Sequence, residues 1–374
     1  MASEAGNGPT GGGSWVDRSL LSVVAASIVV VAVGSVIQIR YGAFRMPLSR
    51  ALAALTDANV LLDPRWLLKF LLGESLMRSI TGFQGELPEL ATATVVVWTL
   101  RLPRVVAAIF VGANLAVSGA IFQAITRNEL ASPYILGVSS GAGLAILLTL
   151  IVFTGLSAAL PVIAALGGAT AFLLVYAIAW QNGTSPVRLV LAGVIVSTVF
   201  TSLQQGLFYF AEDLGTVQNA IAWTTGSLTG VKWRHVRPAV PWSVLALGLA
   251  SISARQLNVL ALGEETARSL GMAVERTRFL LSGVAVLAAA ASIAGIVGFV
   301  GLLIPHVVRN IVGSDYKPLI VGCLFAGPAL MIAADVIARL ALPVGQVPVG
   351  IVTGVIGGPY FLYLMRRQQN VGDL

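Results

Sequence analysis

Residues 318–341 read PLIVGCLFAGPALMIAADVIARLA, and Asp335 and Arg339 are the only charged residues in this run. A helix of about 20 apolar residues crosses the roughly 30 Å hydrocarbon core of a bilayer. Asp335 and Arg339 are four residues apart, which places them on one helix face where they can pair and reduce the cost of burial. The run therefore predicts a membrane-spanning helix that carries an internal ion pair.

Similar apolar runs recur along the chain. The sequence is 57% hydrophobic with a mean hydropathy of +0.89, which is more apolar surface than a soluble core can hide. We therefore predict an all-α polytopic membrane protein with about ten transmembrane helices. Two runs, 238–254 and 299–312, are short enough to be tilted, broken or re-entrant, so nine or eleven spans stay open. The other runs lie at 19–39, 101–124, 135–154, 159–180, 188–210, 279–297 and 347–365.

The predicted organisation is a disordered, Gly/Ser-rich N-terminus (1–18), a transmembrane domain (19–366) and a tail (367–374). No small-residue cleavage site follows the first run, so we expect it to be a retained span. An even number of spans puts both termini on one side. Basic residues in the short loops favour the cytoplasm for that side, because long connections count little in the positive-inside rule. The predicted location is the cell membrane, with contact to lipid.

The long connection at 40–100 is expected to be extracytoplasmic and contains a helix signal of its own. Asp63 is a suitable N-cap and Pro64 suits the first helical position. The apolar residues that follow lie on the side of the helix opposite Lys69 and other charged residues, which favours an interfacial helix. A buried packing helix is the alternative. The apolar side comprises Trp66, Leu67, Phe70, Leu71 and Leu76.

A polar island at 263–278, GEETARSLGMAVERTR, interrupts the apolar runs. Glu264 precedes Arg268 by four residues, in the favourable order for a helical ion pair. Ala267 and Leu270 are predicted to share the other face as a small, outward apolar surface, and Gly271 provides the left-handed residue that ends a helix. The island is predicted to be a short capped helix within a cytoplasmic loop at 255–278. An ordinary solvated loop is the alternative.

The signatures of a P-loop ATPase and of a zinc protease are absent from the sequence. It contains no GxxxxGK[ST] or HExxH motif, and its one cysteine excludes an intrachain disulfide framework and a cysteine metal site. We expect no cofactor and no metal site, and we treat His235 and His306 as structural. The net charge of +7 comes without the aromatic-basic pattern of nucleic-acid binding. The chain is thus predicted to form a transport path with no energy-supplying site of its own. The neutral polar residues expected to line this path are Asn114, Gln123, Gln204 and Gln205.

Several ordered blocks resemble the permease subunits of bacterial and archaeal ABC importers for cobalamin, iron-siderophores and haem. The resemblance covers residues 95–366. It includes LRLPR at 100–104, GANLAVSGAIFQ at 112–123, RNELASPYILGVSSGAG at 127–143, RLVLAGV at 188–194, LALGEETARSLGM at 260–272, GFVGLLIPHVVR at 298–309, AADVIARL at 333–340 and PVGIVTGVIGGPYFLYL at 348–364.

The resemblance implies a type II ABC importer permease fold with ten spans, working as a homodimer by alternating access. It implies no ATPase site of its own, and as partners cytoplasmic ABC ATPase subunits and an extracytoplasmic substrate-binding protein. Cobalamin looks closest among the substrates, with ferric siderophore or haem as alternatives. An ion-coupled secondary transporter is a more remote alternative, and a membrane enzyme is remoter still.

The resemblance also implies roles for individual residues. The inner gate would have Glu129 where the family usually has proline, and the region 40–95 looks longer than in the family. Coupling to the ATPase would involve Glu264, Glu265, Ala267, Arg268, Leu270 and Gly271. Docking of the binding protein would involve Arg101, Arg104 and Arg339, and the cytoplasmic gate Asn128, Leu130, Thr184 and Ser185.

Overall fold

A computed structural model describes residues 17–369, except 43, 45, 135, 182, 212, 292, 343 and 344. Throughout this part of the chain the regular structure is helical, with no β-strand. The expectation of a disordered N-terminus falls almost wholly outside the described residues, as does most of the predicted tail.

Eighteen α-helices are found in the described residues. α6, a π-helical segment (Val97–Arg101) and α7 form one continuous helix from Thr92 to Thr126. The helices are α1 (Arg18–Arg40), α2 (Leu48–Leu55), α3 (Ala58–Leu61), α4 (Pro64–Leu72), α5 (Glu74–Thr81), α6 (Thr92–Val96), α7 (Leu102–Thr126), α8 (Val138–Leu147), α9 (Leu160–Ala179), α10 (Pro186–Phe208), α11 (Leu214–Thr225), α12 (Trp233–Ile252), α13 (Ala254–Ala261), α14 (Glu264–Ser269), α15 (Val274–Ala290), α16 (Val300–Val312), α17 (Tyr316–Leu340) and α18 (Val349–Gln369).

Each of the ten apolar runs contains a helix. Within the described residues, five helices are long and apolar enough to cross a membrane, namely α1, the Thr92–Thr126 helix, α9, α10 and α17. α12 and α13 pass the same test only together, with a bend of 53° between them. Shorter apolar helices occupy Val138–Val152, Val300–Val312 and Val349–Tyr363. The expectation of short or broken elements at 238–254 and 299–312 is therefore confirmed.

α7 is the central helix of the bundle and packs against α12, α15, α16 and α17. Glycines make this packing possible. A Cβ on Gly112 would overlap the backbone at Gly327, and a Cβ on Gly119 would overlap the carbonyl group of Gly301. Small residues at helix crossings let backbones approach closely in lipid, where packing replaces the hydrophobic effect as the force between helices. These glycine contacts lie within one subunit, between α7 and its neighbours α16 and α17.

Residues 48–81 form a helical cap, made of α2 to α5, on the connection between the first two spans. As predicted, α4 starts at Pro64, and the Asp63 carboxylate accepts a hydrogen bond from the Arg65 N–H at 2.9 Å. Trp66 stacks on Phe70, and Phe70 stacks on Trp98. This side of α4 therefore packs on the bundle, as in the alternative interpretation. Leu71 and Leu76 of the predicted apolar side are exposed.

Three of the four side-chain amides expected to line the transport path are instead buried in contacts between helices. Asn114 donates to Ser243 Oγ at 2.7 Å, and Gln204 donates to the Ser140 carbonyl at 3.0 Å. Gln123 is likewise buried beside the Leu302 carbonyl. Only Gln205 is exposed. A buried amide needs a hydrogen-bond partner, and a neighbouring helix supplies it where no water reaches.

Candidate functional site

The polar island folds as the predicted short helix, α14, with a defined stop. Gly271 has φ +81°, and its N–H donates to the Arg268 carbonyl at 2.9 Å. The Met272 N–H donates to the Ala267 carbonyl at 3.0 Å. These two bonds form a Schellman motif, which requires a left-handed residue at the position of Gly271. The predicted cap is thereby confirmed.

The two faces of α14 differ in what they contact. Ala267 is fully buried and packs into the core of the chain, so the expectation that Ala267 and Leu270 form one outward face is wrong for Ala267. Leu270 is 63% exposed, and Glu265 and Arg268 are exposed beside it. Glu264 pairs with Arg268 at 3.8 Å, as its spacing predicted. The outward surface therefore comprises Glu265, Arg268 and Leu270, with Ala267 as the anchor.

Arg278 is the hub that fixes α14 to the rest of the chain. Its guanidinium is 1% exposed, and its Nη2 lies 2.5 Å from the Glu264 carboxylate. Its Nη1 donates to the Thr184 carbonyl at 2.6 Å and lies 2.9 Å from the Glu275 carboxylate. Thr184 Oγ1 in turn donates to Glu275 at 2.8 Å. One buried cation therefore joins α14, α15 and the loop before α10.

The Arg278 hub brings together two sets of predicted residues that are far apart in the sequence. Glu264 belongs to the predicted coupling set and Thr184 to the predicted gate set. Ser185, the next residue, caps α10 by accepting from the Arg188 N–H at 3.3 Å. A movement of α14 therefore has a direct mechanical route to the loop at Thr184 and Ser185.

The second predicted gate loop follows α7 and also lies beside α14. The Asn128 side chain accepts from the Leu130 N–H at 2.9 Å, and both residues are exposed. Arg127, in a left-handed conformation with φ 48°, ends α7. Its guanidinium lies 3.5 Å from the point where a Cβ on Gly263 would stand. Both predicted gate loops thus lie against the island, one near Gly263 and the other at Arg278.

Glu129 ties this second loop to α16. Its carboxylate lies 3.2 Å from His306 Nδ1 and 3.1 Å from Arg309 Nη1. The Glu129 side chain is half exposed, whereas the histidine and arginine side chains are buried. Proline, the residue usual in the resembled family, has no side chain that could make this contact. The departure at position 129 therefore adds an ionic link between the loop and α16.

At the opposite end of α7, Asp335 is the centre of a second buried ionic cluster. Arg104 binds the Asp335 carboxylate through two nitrogens, Nη2 at 2.7 Å and Nε at 3.0 Å. The predicted partner Arg339 is farther away, at 3.8 Å. Arg104 also donates to Gln346, which accepts from Thr229 Oγ1 at 3.1 Å. The nearest partner of Asp335 is thus on another helix, because bidentate geometry favours Arg104.

Arg101 and Arg104, which were expected to face a binding protein, are buried, and the side chain of Arg339 is only 7% exposed. Arg101 donates to the carbonyls of Ile39, Arg40 and Phe44, at the end of α1 and just after it. Arg339 donates to the Gln38 and Tyr41 carbonyls at 2.8 Å each. The chain after α1 therefore covers guanidiniums that sequence reasoning placed at the surface. Backbone carbonyls at a helix end are unpaired within the helix, so they attract buried donors.

An open cleft with a volume of about 500 Å³ lies between α11, α16 and α18. Its wall is largely apolar, with Phe299 held at φ 66°. Ser132, in the loop after α7, lines the cleft, which therefore borders that predicted gate loop. Polar groups on its wall come from Ser132, Tyr134, Thr224 and Thr225.

Sequence reasoning missed the residues that organise the site. Glu275 and Arg278 are three residues apart, a spacing that predicts a helical pair, so half of the hub was accessible from the sequence. Its contacts with Glu264 and Thr184 join separate elements and leave no local pattern. The links from Glu129 to α16 and from Arg104 to Asp335 are likewise set by the packing of distant helices.

Comparisons with known proteins agree with this architecture. Residues 31–367 match the FecCD transport family. The chain is 43% identical over 293 residues to the cobalamin import system permease protein BtuC of Halobacterium salinarum, covering 76% of this chain and 77% of that protein. It is 40% identical over 279 residues to the Fe(3+)-citrate import system permease protein YfmD of Bacillus subtilis, covering 74% and 83% respectively.

A solved structure is similar over nearly the whole chain. It shows an inward-facing metal-chelate type ABC transporter, with a TM-score of 0.75 and 25% identity, covering 93% of this chain and 99% of that one. With the family match, the helical fold and the multi-pass membrane character, this similarity identifies the chain's class. The chain belongs to the FecCD transport family and is a membrane-embedded permease subunit of an ABC importer.

Proposed function

We propose that this permease carries cobalamin across the cell membrane, driven by a separate ATPase. The 43% identity to a cobalamin permease supports cobalamin. Ferric citrate or a ferric siderophore is the second candidate, supported by 40% identity to a ferric-citrate permease and 37% identity to the ferric enterobactin permease FepG of Escherichia coli. All of these candidate substrates are bulky metal chelates. An open, mostly apolar cleft accommodates such a substrate better than a narrow ion path would.

The observation that carries the proposed mechanism is the anchoring of α14. Its outward surface, formed by Glu265, Arg268 and Leu270, is exposed, while Arg278 holds its inner side through a buried ion pair. A rigidly held, exposed surface with an apolar centre suits protein docking. We place the ATPase on this surface, with Glu264, Ala267 and Gly271 as positioning residues.

Transport then follows from the connection between α14 and the gate loops. A nucleotide-dependent movement of the ATPase displaces α14, and the Arg278 hub transmits the displacement to Thr184 and Ser185. The Arg127 contact carries it to Asn128 and Leu130. The gate opens or closes because the ATPase contacts differ between its nucleotide states. Two copies of the chain, related by a two-fold axis, would enclose the path with their clefts facing each other.

The orientation assigned to the chain puts both termini and α14 in the cytoplasm and the cap outside. Docking of a binding protein through Arg101, Arg104 and Arg339 stays a prediction. Because their guanidiniums are buried, this docking requires the segment after α1 to move aside. If it does not move, these arginines act only by holding the outer ends of α1, α7 and α17 together.

The coupling proposal is tested by the double variant Glu265→Lys/Leu270→Ser, which changes exposed residues only. We expect normal insertion into the membrane, but loss of substrate uptake and of co-purification with the ATPase. Leu62→Ser in the cap is the matched control, because Leu62 is 82% exposed and far along the chain. Full uptake by the double variant would contradict the placement of the ATPase on α14.

The substrate is tested by expressing the transporter with its binding protein in two bacterial strains, one lacking its cobalamin permease and one lacking its ferric-chelate permeases. Restored uptake of labelled cobalamin alone is the expected result. Restored uptake of a labelled ferric chelate alone would overturn the cobalamin assignment and leave the coupling mechanism standing.

A further inference from the structure

The helical cap at 48–81 has a well-packed inner side. Ala51, Ala54, Val60 and Phe70 are buried in the main core of the chain, and Met77 is also buried. Trp98 Nε1 donates to the Ala54 carbonyl at 3.0 Å, which fixes the end of α2 to the long α6–α7 helix. The cap is therefore a rigid part of the molecule.

α5 nevertheless presents a second apolar side. At about 100° per residue, Leu76 and Ile80 fall on one face, Met77 on another, and Glu74 and Arg78 on a third. Met77 is buried, but Leu76 and Ile80 are 52% and 60% exposed. Leu71 and Leu72, in the last turn of α4, are also exposed. We call these four residues the apolar ledge. A helix in water needs only one apolar face, so the ledge requires a second apolar environment.

The position of the ledge is fixed by Arg237. Its Nη2 donates to the Lys69 carbonyl at 2.6 Å and its Nε to the Phe70 carbonyl at 3.0 Å, so the end of α4 lies against α12. Arg237 is the last charged residue before the apolar run at 238–254. The junction of α4 and α5 therefore lies at the level where α12 enters the hydrocarbon.

The surface of α12 that follows Arg237 along the helix is apolar and exposed. Pro241, Val244 and Gly248 lie four, seven and eleven residues after Arg237, spacings that place them on the same helix face. All three are exposed. On a membrane-spanning helix such a face is expected to contact lipid. It lies on the same side of α12 as Arg237, the residue that binds the end of α4. The polar side of α5 is suited to headgroups, because Glu74 pairs with Arg78 at 2.8 Å and with Lys69 at 3.2 Å, leaving one positive charge.

We propose that the apolar ledge (Leu71, Leu72, Leu76 and Ile80) inserts into the acyl chains of the adjacent leaflet and holds the cap at the membrane surface. Amphipathic helices of this kind bury their apolar face about 5–10 Å into the interface. The partner is the lipid surface. The inference rests on the membrane placement of the chain and is independent of the cargo.

The test uses the full-length chain in nanodiscs containing lipids brominated on the acyl chain. In a Cys323→Ala background, which removes the only cysteine, a fluorescent label is attached to Leu76→Cys, Ile80→Cys or the control Ser75→Cys. Ser75 is exposed on the polar arc of the same helix. Bromolipid should quench the labels at 76 and 80, and a water-soluble quencher should reach them about fivefold less well than the label at 75.

Equal access of the aqueous quencher to all three labels would overturn the proposal. Shielding of positions 76 and 80 that appears only when the substrate-binding protein is added would also overturn it, because the ledge would then be a protein-docking surface. Uptake measured with the same unlabelled variants shows separately whether transport itself is intact.

Discussion

Arg278 is a buried cation that forms both ion pairs and hydrogen bonds. Removal of one partner from a buried ion pair leaves the other charges uncompensated, which costs about 3 kcal/mol or more. Lysine would keep the charge but lacks the planar fork that reaches Glu264, Glu275 and Thr184 at once.

We therefore expect Arg278→Met to lower the unfolding free energy by about 3 kcal/mol and to abolish uptake, and Arg278→Lys to rescue stability only in part. Thermal unfolding in detergent and uptake in vesicles measure the two effects. Arg276→Met is the matched control, since Arg276 is exposed two residues away. An equal loss of stability in Arg278→Met and Arg276→Met would show that the buried contacts of Arg278 stabilise the fold no more than an exposed arginine does.

Glu129 allows a finer test, because its ion pair with Arg309 is half exposed. Screening by water limits such a link to about 1 kcal/mol. Glu129→Gln should therefore leave the fold intact while making the loop after α7 more mobile. A spin label on Leu130→Cys, in the Cys323→Ala background, reports this mobility. Glu86→Gln, which removes an exposed carboxylate in the 83–90 segment, should leave the label's spectrum unchanged; an unchanged spectrum for Glu129→Gln would contradict the link.

At the level of single residues, the sequence predicted what depends on local spacing. The Glu264–Arg268 pair, the Asp63 cap and the left-handed Gly271 are all visible as short patterns. The burial of Ala267 could not be predicted in this way, because the sequence of α14 alone does not reveal which of its sides packs against the bundle. The partners of Asp335 and of the outer arginines depend on helix ends that are far apart in sequence.

At the level of elements, α14 depends on its C-terminal stop. A side chain at Gly271 would have to adopt φ +81°, which costs about 1–2 kcal/mol for a residue with a Cβ and more for a β-branched one. No atom lies within 4 Å of where a Cβ on Gly271 would stand, so the effect of substitution is conformational rather than steric. Gly271→Val should therefore weaken coupling without unfolding the bundle.

The expected result is a reduced ratio of substrate uptake to ATP hydrolysis in the reconstituted complex. Gly271→Asn is the control, because asparagine tolerates the left-handed conformation better than valine. An uptake ratio for Gly271→Val that equals that of the unmodified chain would refute the role of the Schellman motif.

The cap is held partly by carboxylates whose titration can be followed. Thr94 Oγ1 donates to Asp57 at 2.6 Å and lowers the pKa of that carboxyl below its ordinary value of 3.8. A lowered pKa in the folded state means that the contribution to stability is present above pH 3.8 and is lost as the pH falls through the lower, folded value. Hydrogen bonds from Arg65 and Arg78 likewise lower the pKa of Asp63 and of Glu74.

Pepsin cleavage within 48–81 should therefore accelerate as the pH falls below 3.8, relative to cleavage elsewhere in the chain. Asp57→Asn should cleave faster at the upper end of this range and show a weaker pH dependence, since Asp63 and Glu74 still titrate. A pH profile of Asp57→Asn that matches the unmodified chain would exclude Asp57 from the anchoring of the cap.

For the whole molecule, hydrophobic run length predicted where the helices lie, because the membrane allows few structures other than helices that satisfy their own backbone. It did not predict that only some helices, α7 above all, are surrounded by protein. Such burial follows from glycine contacts such as Gly119 with Gly301, which bring distant runs together. The cap was visible as a helix signal, but the division of its apolar residues between bundle and surface required the packing.

The packing around Asp335 also bears on the energy source. A proton-coupled carrier usually exposes a buried carboxylate that can gain and lose a proton during transport. Asp335, fully buried in α17, instead contacts both Arg104 and Arg339. These two contacts give Asp335 a structural role in joining α7 and α17, rather than that of a carboxylate open to a transport path.

Uptake by vesicles containing the permease, its ATPase and its binding protein should therefore require ATP inside the vesicle and survive an ionophore that collapses ion gradients. Asp335→Asn provides the sharper comparison. A structural role predicts lower thermal stability with uptake that remains ATP-dependent in whatever fraction folds, because the proposed ATPase surface on α14 lies away from Asp335. Uptake that continues without ATP and stops with the ionophore would instead identify an ion-driven carrier, in which Asp335 would be the first residue to examine.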